Sequence, residues 1–199
     1  MEGFAINQPI PEGYGIIILA GGKSSRFGSD KSLLTIDGLT IAADNLRRLG
    51  DLFAEQIVVS NTGHKLSIPR TREITDIYKD SGPMGGLHAG LSVASCGYNL
   101  LIACDMPQLD RSIVEKLLEQ AEAGGADIVA ARCLGKVEPL CTVYHRRCLD
   151  MAATLLEQGR RSMMALMDSC HTDFIDIDHD LFNINFPEDA QLFFANREK

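Results

Sequence analysis

The sequence predicts an α/β fold of the Rossmann-like, three-layer kind, in which helices cover both faces of a mostly parallel central sheet. Short apolar runs rich in β-branched residues alternate with amphipathic stretches, and glycine-bearing turns separate the two. Strands that alternate with helices in this way form parallel sheets covered on both sides. The 199 residues, of which 45% are hydrophobic, are enough for one substantial core. We therefore expect a single domain over residues 1–199, in which residues 1–13 form an N-terminal extension.

The first half of the chain predicts three strands and two helices. Residues 15–19, GIIIL, form a short β-branched run that is typical of a strand buried on both faces. Similar apolar runs predict strands over residues 56–60 and 98–104. Helical patterns cover residues 40–49 and 84–94. Each strand is thus followed by a loop and then by a helix, as in a parallel sheet.

The second half continues this alternation. A helix begins at Asp110, where apolar residues recur at helical spacing, and it stops at Gly124-Gly125. The later elements are strands over residues 127–131 and 137–144, helices over residues 148–156 and 162–167, and a terminal helix that begins at Pro187. Ligands bind at the carboxyl ends of the strands in such sheets. The loops after Leu19, Ser60 and Cys104 are therefore where we expect the chemistry.

The composition argues against several classes of protein. A net charge of −8 at pH 7 disfavours duplex nucleic acid as the main partner, whereas a local loop with a few cations still binds an anionic nucleotide. No apolar run reaches the roughly 18 residues needed to span a bilayer. Residues 1–12 lack the basic start and apolar stretch of a signal peptide. We therefore expect a cytoplasmic protein that binds neither nucleic acid nor membrane.

The cysteines and histidines form no recognisable metal-binding or redox motif in the sequence. The six cysteines include no C-x-x-C pair, and several lie in apolar runs, so we expect them to be reduced and packed as small hydrophobes. The five histidines are scattered without metal-ligand spacing, which favours surface or packed side chains over ligands.

The strongest chemical signal lies in residues 19–31, LAGGKSSRFGSDK, directly after the first predicted strand. Gly21 and Gly22 let backbone amides approach a ligand, and consecutive N–H groups form a concave anion site. Arg26 and Lys31 add two positive charges. The glycine spacing matches neither the P-loop nor G-x-G-x-x-G. We interpret the segment as a phosphate-binding loop; the alternative is an ordinary flexible turn with solvated basic residues.

A second segment, residues 100–107 (LLIACDMP), places Asp105 at the end of an apolar strand, just before Pro107. A carboxylate there can hold Mg²⁺, whose remaining ligands come from phosphates and water. Aspartate also commonly closes turns. The position alone leaves both interpretations open.

Two further segments carry weaker signals. In residues 76–87, DIYKDSGPMGGL, glycines flank Pro83 at the head of a helix. This segment is a second anion-binding turn, a lid, or a plain strand–turn–helix junction. In residues 183–189, NINFPED, Asn183 and Asn185 point the same way if the segment is extended. They either cap the last helix, which the local pattern favours, or hydrogen-bond a polar ligand.

Taken together, these segments resemble a known enzyme family. The loop at 19–31 is similar to the opening loop of nucleotidyltransferases that act on nucleoside triphosphates, including sugar-phosphate and cytidylyl transferases. The order of the remaining motifs resembles that of the molybdenum cofactor guanylyltransferases: SGPMGGL at 81–87, ACDMP at 103–107, EPL at 138–140 and NINFPED at 183–189. The resemblance implies the nucleotidyltransferase type of Rossmann-like fold, from about Tyr14 onward.

The resemblance also implies a set of site residues. Those expected at the GTP site are Leu19, Ala20, Gly21, Gly22 and Lys31, with Asn61 at guanine or ribose, Asp76 as a second nucleotide-contacting acid (Asp80 is the fallback) and Asp105 as the magnesium ligand. Those expected on the pterin side are Gly82, Asn183 and Asn185. Phe27 and Phe186 depart from the family's methionine and threonine, and the hydroxyl lost at position 186 bears on how the pterin is held.

The reaction that the resemblance implies is transfer of GMP from GTP to the terminal phosphate of molybdopterin, with release of pyrophosphate. Arg26, Lys31 and Asp105 are the expected catalytic residues, since loop amides, cations and Mg²⁺ on Asp105 would offset the negative charge. The substrates are then GTP and molybdopterin, with molybdoenzymes or other cofactor-assembly proteins as candidate protein partners. The alternatives are a cytidylyltransferase or sugar-1-phosphate nucleotidyltransferase, and a catalytically silent nucleotide-binding protein.

Overall fold

The computed structural model describes residues 13–20, 34–36, 38–60, 66–107, 109–184, 186, 188–189 and 193. In chain order the strands are β1 (Tyr14–Leu19), β2 (Thr35–Ile36), β3 (Leu39–Thr40), β4 (Phe53–Val59), β5 (Arg72–Ile74), β6 (Tyr98–Ala103), β7 (Ile128–Cys133), β8 (Lys136–His145) and β9 (Thr172–Ile177). The helices are α1 (Ile41–Leu49), α2 (Gly82–Val93), α3 (Arg111–Gly124), α4 (Cys148–Glu157) and α5 (Met163–Ser169).

Seven of these strands form one sheet in the order β5-β4-β1-β6-β8-β7-β9. β1 pairs in parallel with β4 and β6, so that Leu19 stands opposite both Val59 and Ala103. β5 and β9 are likewise parallel to their neighbours, and β8 is antiparallel to β6 and β7. The predicted mostly parallel sheet is thus confirmed. We call the side of the sheet at which β1, β4 and β6 end the carboxyl edge, and the opposite side the amino edge.

Helices cover both faces of this sheet, which confirms the predicted three layers. Ile16 and Ile18 of β1 are buried in a core cluster with residues of α1 and α3. Ile17 and Leu19 are buried on the other face with residues of α2, α4 and α5. Because both faces of β1 are covered, its sequence is a continuous apolar run. None of the helices in the described part of the chain is long and apolar enough to cross a membrane.

Helix α2 packs directly on β1 because glycines face the strand. A Cβ atom placed on Gly90 would lie 2.7 Å from Ile17, and one on Gly86 would lie 2.6 Å from Leu19. Larger residues would therefore push the helix off the sheet. Since Gly86 lies near the end of β1 and Gly90 nearer its middle, α2 runs back along the strand. The N-terminus of α2, the positive end of its dipole, thus faces the carboxyl edge.

The predicted elements agree with the described ones, apart from short or acidic strands that the sequence does not predict. The hairpin β2–β3 and strand β5 are too short for a periodic pattern, and β9, TDFIDI, interrupts its apolar residues with acids. Leu134 and Gly135, with φ of 47° and 84°, form a tight turn that makes β7 and β8 antiparallel. Of the predicted terminal helix, residues 188, 189 and 193 are described, and they are helical.

Candidate active site

Three of the strands end side by side at the carboxyl edge, and backbone hydrogen bonds continue one residue beyond them. The N–H of Ala20 donates to the carbonyl of Val59 at 2.8 Å, and the N–H of Cys104 donates to the carbonyl of Leu19 at 3.0 Å. The N–H of Ser60 donates to the carbonyl of Ile74 at 2.9 Å. The loops in which the sequence predicts chemistry therefore begin next to one another.

The predicted nucleotide-binding residues fall partly inside the described structure. Leu19 and Ala20 are both buried at the end of β1, where the glycine loop begins. Gly21, Gly22, Arg26, Lys31, Asn61 and Asn185 lie outside the described residues, as does Phe27. Their proposed roles stay predictions.

Asp76 lies above the end of β1, although it follows the edge strand β5 in sequence. Its Oδ1 atom is buried, and a Cβ atom on Gly86 would lie 3.5 Å from that oxygen as well as 2.6 Å from Leu19. Asp80, by contrast, is exposed, and its carbonyl accepts a hydrogen bond from Nη1 of Arg161 at 3.0 Å. The geometry therefore places Asp76, rather than Asp80, beside the end of β1.

Asp105 lies in the turn after β6 and is partly exposed. Its backbone carbonyl accepts a hydrogen bond from the N–H of Ile184 at 2.8 Å. This bond places the asparagine segment beside Asp105, with half-buried Asn183 as the preceding residue. Two of the four segments singled out by sequence thus meet at one carbonyl.

Helix α1 holds the loop that follows Asp105. Nδ2 of Asn45 donates to the carbonyl of Met106 at 2.9 Å, and Nη1 of Arg48 donates to the carbonyl of Leu109 at 3.2 Å. The sequence alone assigns no role to Asn45 or Arg48. The feature of the sequence that could have identified them is a pair of polar residues, three positions apart, within the amphipathic pattern of α1.

A small apolar cluster lies beside these contacts. Ile184 and Phe193 pack with Ile36 of the hairpin and Ile41 at the start of α1, and all four are at least nine-tenths buried. The cluster joins the C-terminal segment to the region that follows the glycine loop. The packing of Ile184 in this cluster explains why an isoleucine separates the two asparagines that are predicted to bind substrate.

The backbone conformation at the start of α2 explains why residue 82 is a glycine. Gly82 has a φ of 63°, and a Cβ atom there would meet nothing within 4 Å. Glycine is therefore favoured because of the left-handed backbone and not because of crowding. Pro83 occupies the first turn of α2, where its missing N–H costs nothing.

His88 lies one turn into the buried part of α2. Its ring packs edge-on against Tyr78 with 4.9 Å between ring centroids. Burial lowers the pKa of His88, which disfavours a positive charge on this ring.

The position after the asparagines shows how the last helix begins. The N–H of Phe186 donates to Oδ2 of Asp189 at 2.8 Å, and the N–H of Asp189 donates to the carbonyl of Phe186 at 3.0 Å. This is half of a capping box, with Phe186 at the N-cap. The cap therefore falls at position 186, which weakens the interpretation of Asn183 and Asn185 as helix caps.

The acids at the carboxyl edge fit a magnesium ion that takes most of its ligands from phosphate oxygens and water. Asp76 and Asp105 both lie beside the end of β1 and offer hard oxygen donors, and Mg²⁺ typically takes one or two carboxylates along with phosphate oxygens and water. Over residues 13–193, where described, no group of three or more His, Cys, Asp or Glu side chains could hold a metal ion by itself. The two acids would therefore supply only part of the ligands of a magnesium ion.

Comparison with known proteins gives a consistent result. A family model described as the MobA-like NTP transferase domain matches residues 16–172. A molybdenum cofactor guanylyltransferase from Vibrio parahaemolyticus is 31% identical over 182 residues, which cover 89% of this chain and 93% of that protein.

Solved structures with the same fold have different printed activities. Molybdopterin-guanine dinucleotide biosynthesis protein A from Archaeoglobus fulgidus matches with a TM-score of 0.78 at 23% identity, covering 92% of this chain and 99% of that one. A 2-C-methyl-D-erythritol 4-phosphate cytidylyltransferase from Thermus thermophilus matches with a TM-score of 0.72 at 18% identity, covering 94% and 100%. These two likenesses show the fold.

Proposed function

The chain belongs to the MobA-like NTP transferase family and is a nucleotidyltransferase, and from this premise we propose that it transfers GMP from GTP to the phosphate of molybdenum-bound molybdopterin. The product is the guanine dinucleotide form of the cofactor, and pyrophosphate is released. The observation that carries the proposal is the hydrogen bond between Ile184 and Asp105, because it joins the acid beside the nucleotide loop to the asparagine segment.

The nucleotide side of the proposed site is the end of β1. There the amides of Gly21 and Gly22, together with Arg26 and Lys31, would offset the charge of the triphosphate. Asp76 and Asn61 would bind the nucleoside. Asp105 would hold Mg²⁺, which when bound neutralises charge on the phosphate oxygens.

The acceptor side of the proposed site is the segment around Ile184 and the start of α2. Asn183, Asn185 and Gly82 would bind the pterin and direct its phosphate toward the α-phosphorus of GTP. The attacking phosphate is already an anion, so no strong general base is required. Alignment of two charged reactants is the main task, and it is the task that positioned residues perform.

The test is to measure binding of GTP, CTP, ATP and UTP by calorimetry with Mg²⁺, and then pyrophosphate release with molybdopterin present. We expect GTP to bind at least about tenfold more tightly than CTP, a difference of roughly 1.4 kcal/mol. Tighter binding of CTP would replace the proposal with a cytidylyltransferase. Tight GTP binding without pyrophosphate release would indicate a silent nucleotide-binding protein.

A further inference from the structure

Asn45 is a polar side chain in a place where an apolar one would be expected. It is 0% exposed, on a helix whose other buried residues include Ile41, Leu46 and Leu49. Burial of an amide is unfavourable unless its hydrogen-bonding groups are satisfied. Asn45 therefore needs a structural reason, and its two hydrogen bonds give one.

Both polar atoms of the Asn45 amide are used. Nδ2 donates to the carbonyl of Met106 at 2.9 Å, and Oδ1 accepts from Nη2 of Arg48 at 2.7 Å. The same guanidinium donates through Nη1 to the carbonyl of Leu109 at 3.2 Å and through Nε to Asp44 at 3.1 Å. One connected network on α1 thus satisfies two carbonyls of a single loop.

That loop contains the predicted metal ligand. Met106 directly follows Asp105, whose own carbonyl is bound by the N–H of Ile184. The residue before it, Cys104, is fixed by its N–H bond to Leu19. The backbone on both sides of Asp105 is therefore held, and on the Met106 side the holding group is the side chain of Asn45.

We propose that Asn45 is a positioning residue for Asp105, acting through the Met106 carbonyl to set where the carboxylate meets the metal and the nucleotide phosphates. This inference rests on the proposed function only in taking Asp105 as a metal ligand. Removal of a group that orients a metal-ligating side chain typically lowers metal affinity or activity by about 10- to 100-fold. The inference does not depend on which nucleobase the nucleotide carries or on which molecule accepts the nucleotidyl group.

The chain offers a matched control at the other edge of the sheet. Asn99 is also 0% exposed, and its Nδ2 also donates to a backbone carbonyl, that of Cys96, at 3.0 Å. It lies at the start of β6 next to Gly15, at the amino edge. A purely structural role for Asn45 predicts that Asn45→Ala, like Asn99→Ala, leaves metal binding unchanged.

The experiment compares both variants with the unmodified full-length protein. Binding of Mn²⁺ is measured by electron paramagnetic resonance in the presence of α,β-methylene GTP, which cannot be cleaved at the reacting bridge, and kcat and KM are measured separately with GTP. We expect both variants to lose thermal stability. We expect Asn45→Ala alone to weaken Mn²⁺ binding about tenfold and to lower kcat by a similar factor, with KM for GTP within about threefold.

Equal effects of the two variants on Mn²⁺ binding, or a loss of stability in Asn45→Ala with unchanged Mn²⁺ binding, would overturn the proposal. If Asn45→Ala does not fold, Asn45→Asp takes its place, because a carboxylate still accepts the bond from Arg48 but cannot donate to the Met106 carbonyl. If the unmodified protein prefers CTP, the proposed substrate is wrong, and the same comparison with the CTP analogue still tests the role of Asn45.

Discussion

The two edges of the central sheet use polar side chains for different purposes. At the amino edge, side chains link neighbouring elements of the fold by hydrogen bonds to each other and to nearby backbone. Asp127 is bound by the guanidinium of Arg147 and by the N–H of His171, and Nη2 of Arg147 donates to the carbonyl of Gly125 at 2.6 Å. These contacts join the starts of β7 and β9 to the turn before α4.

At the carboxyl edge, side chains and a terminal segment bind the backbone of the loops instead. Asn45 and Arg48 hold the carbonyls of Met106 and Leu109, and the N–H of Ile184 holds that of Asp105. The Asp105 carboxylate is thus carried by a backbone that is held on both sides. The difference predicts that substitutions at the amino edge affect stability alone, whereas substitutions of Asp105 or of the side chains that hold its loop affect turnover as well.

The largest effect is expected for Asp105→Asn, which tests the carboxyl edge directly. The change keeps shape and turn-forming capacity but removes the negative charge. We expect turnover to fall by about 10²–10³-fold, and GTP affinity to fall less, because the charge is needed most as the leaving group departs. Single-turnover product formation across a Mg²⁺ titration measures this, with unfolding followed in parallel.

Asp110→Asn is the matched control for this variant. Asp110 lies five positions further along, caps α3 by accepting from the N–H of Ser112 at 2.8 Å, and is exposed. Asparagine is an equally good N-cap, so stability and turnover should both stay close to those of the unmodified protein. Near-normal rates in Asp105→Asn, with an unshifted Mg²⁺ midpoint, would show that Asp105 only closes the turn.

A smaller effect is expected for Arg147→Ala, which tests the amino edge. Loss of the bonds to Asp127 and Gly125 should lower the free energy of unfolding by about 1–2 kcal/mol, since the pair is only partly shielded from solvent. Turnover per folded molecule should be unchanged. Urea denaturation measures the loss. Arg132→Ala, which removes a similar pair with Asp176 and a contact with the Phe174 ring, should cost less, because the Asp176 side chain is 70% exposed and that of Asp127 only 23%. Equal losses would mean that the amino edge has no special role.

The same pair gives a pH dependence whose sign is fixed by Asp127. Burial alone raises the pKa of this carboxyl, but the hydrogen bonds from Arg147 and the His171 N–H lower it overall. A carboxyl whose pKa is lower in the folded chain than its unfolded value of about 3.9 stabilises the fold fully above that value. The stabilisation is lost as the pH falls through the folded pKa. Arg147→Ala should therefore show a weaker loss of stability in acid.

The contrast between the edges also explains what could be predicted from the sequence. Loops at the carboxyl edge follow apolar runs such as residues 15–19, so their position follows from local pattern alone. The bond from Asn45 to Met106 joins residues 61 positions apart, and no local pattern encodes it. The antiparallel direction of β8 depends on the turn at Leu134 and Gly135. The apolar run itself does not indicate it, because the same run suits a parallel or an antiparallel strand.

The smallest effect is expected for Phe186→Thr, at the rim of the carboxyl edge. Phe186 occupies the N-cap of the last helix, where the Asp189 side chain already binds its N–H at 2.8 Å. Phenylalanine cannot return the bond, whereas a threonine hydroxyl can accept from the N–H of residue 189 and complete the capping box. Phe186→Thr should thus be more stable than Phe186→Val, its match in shape, by about 0.5–1 kcal/mol. Chemical denaturation of both variants measures the difference, and acceptor kinetics should be the same in the two. If threonine instead changes the KM for the pterin and leaves stability unaltered, the hydroxyl contacts substrate, and the rim belongs to the site rather than to the helix that supports it.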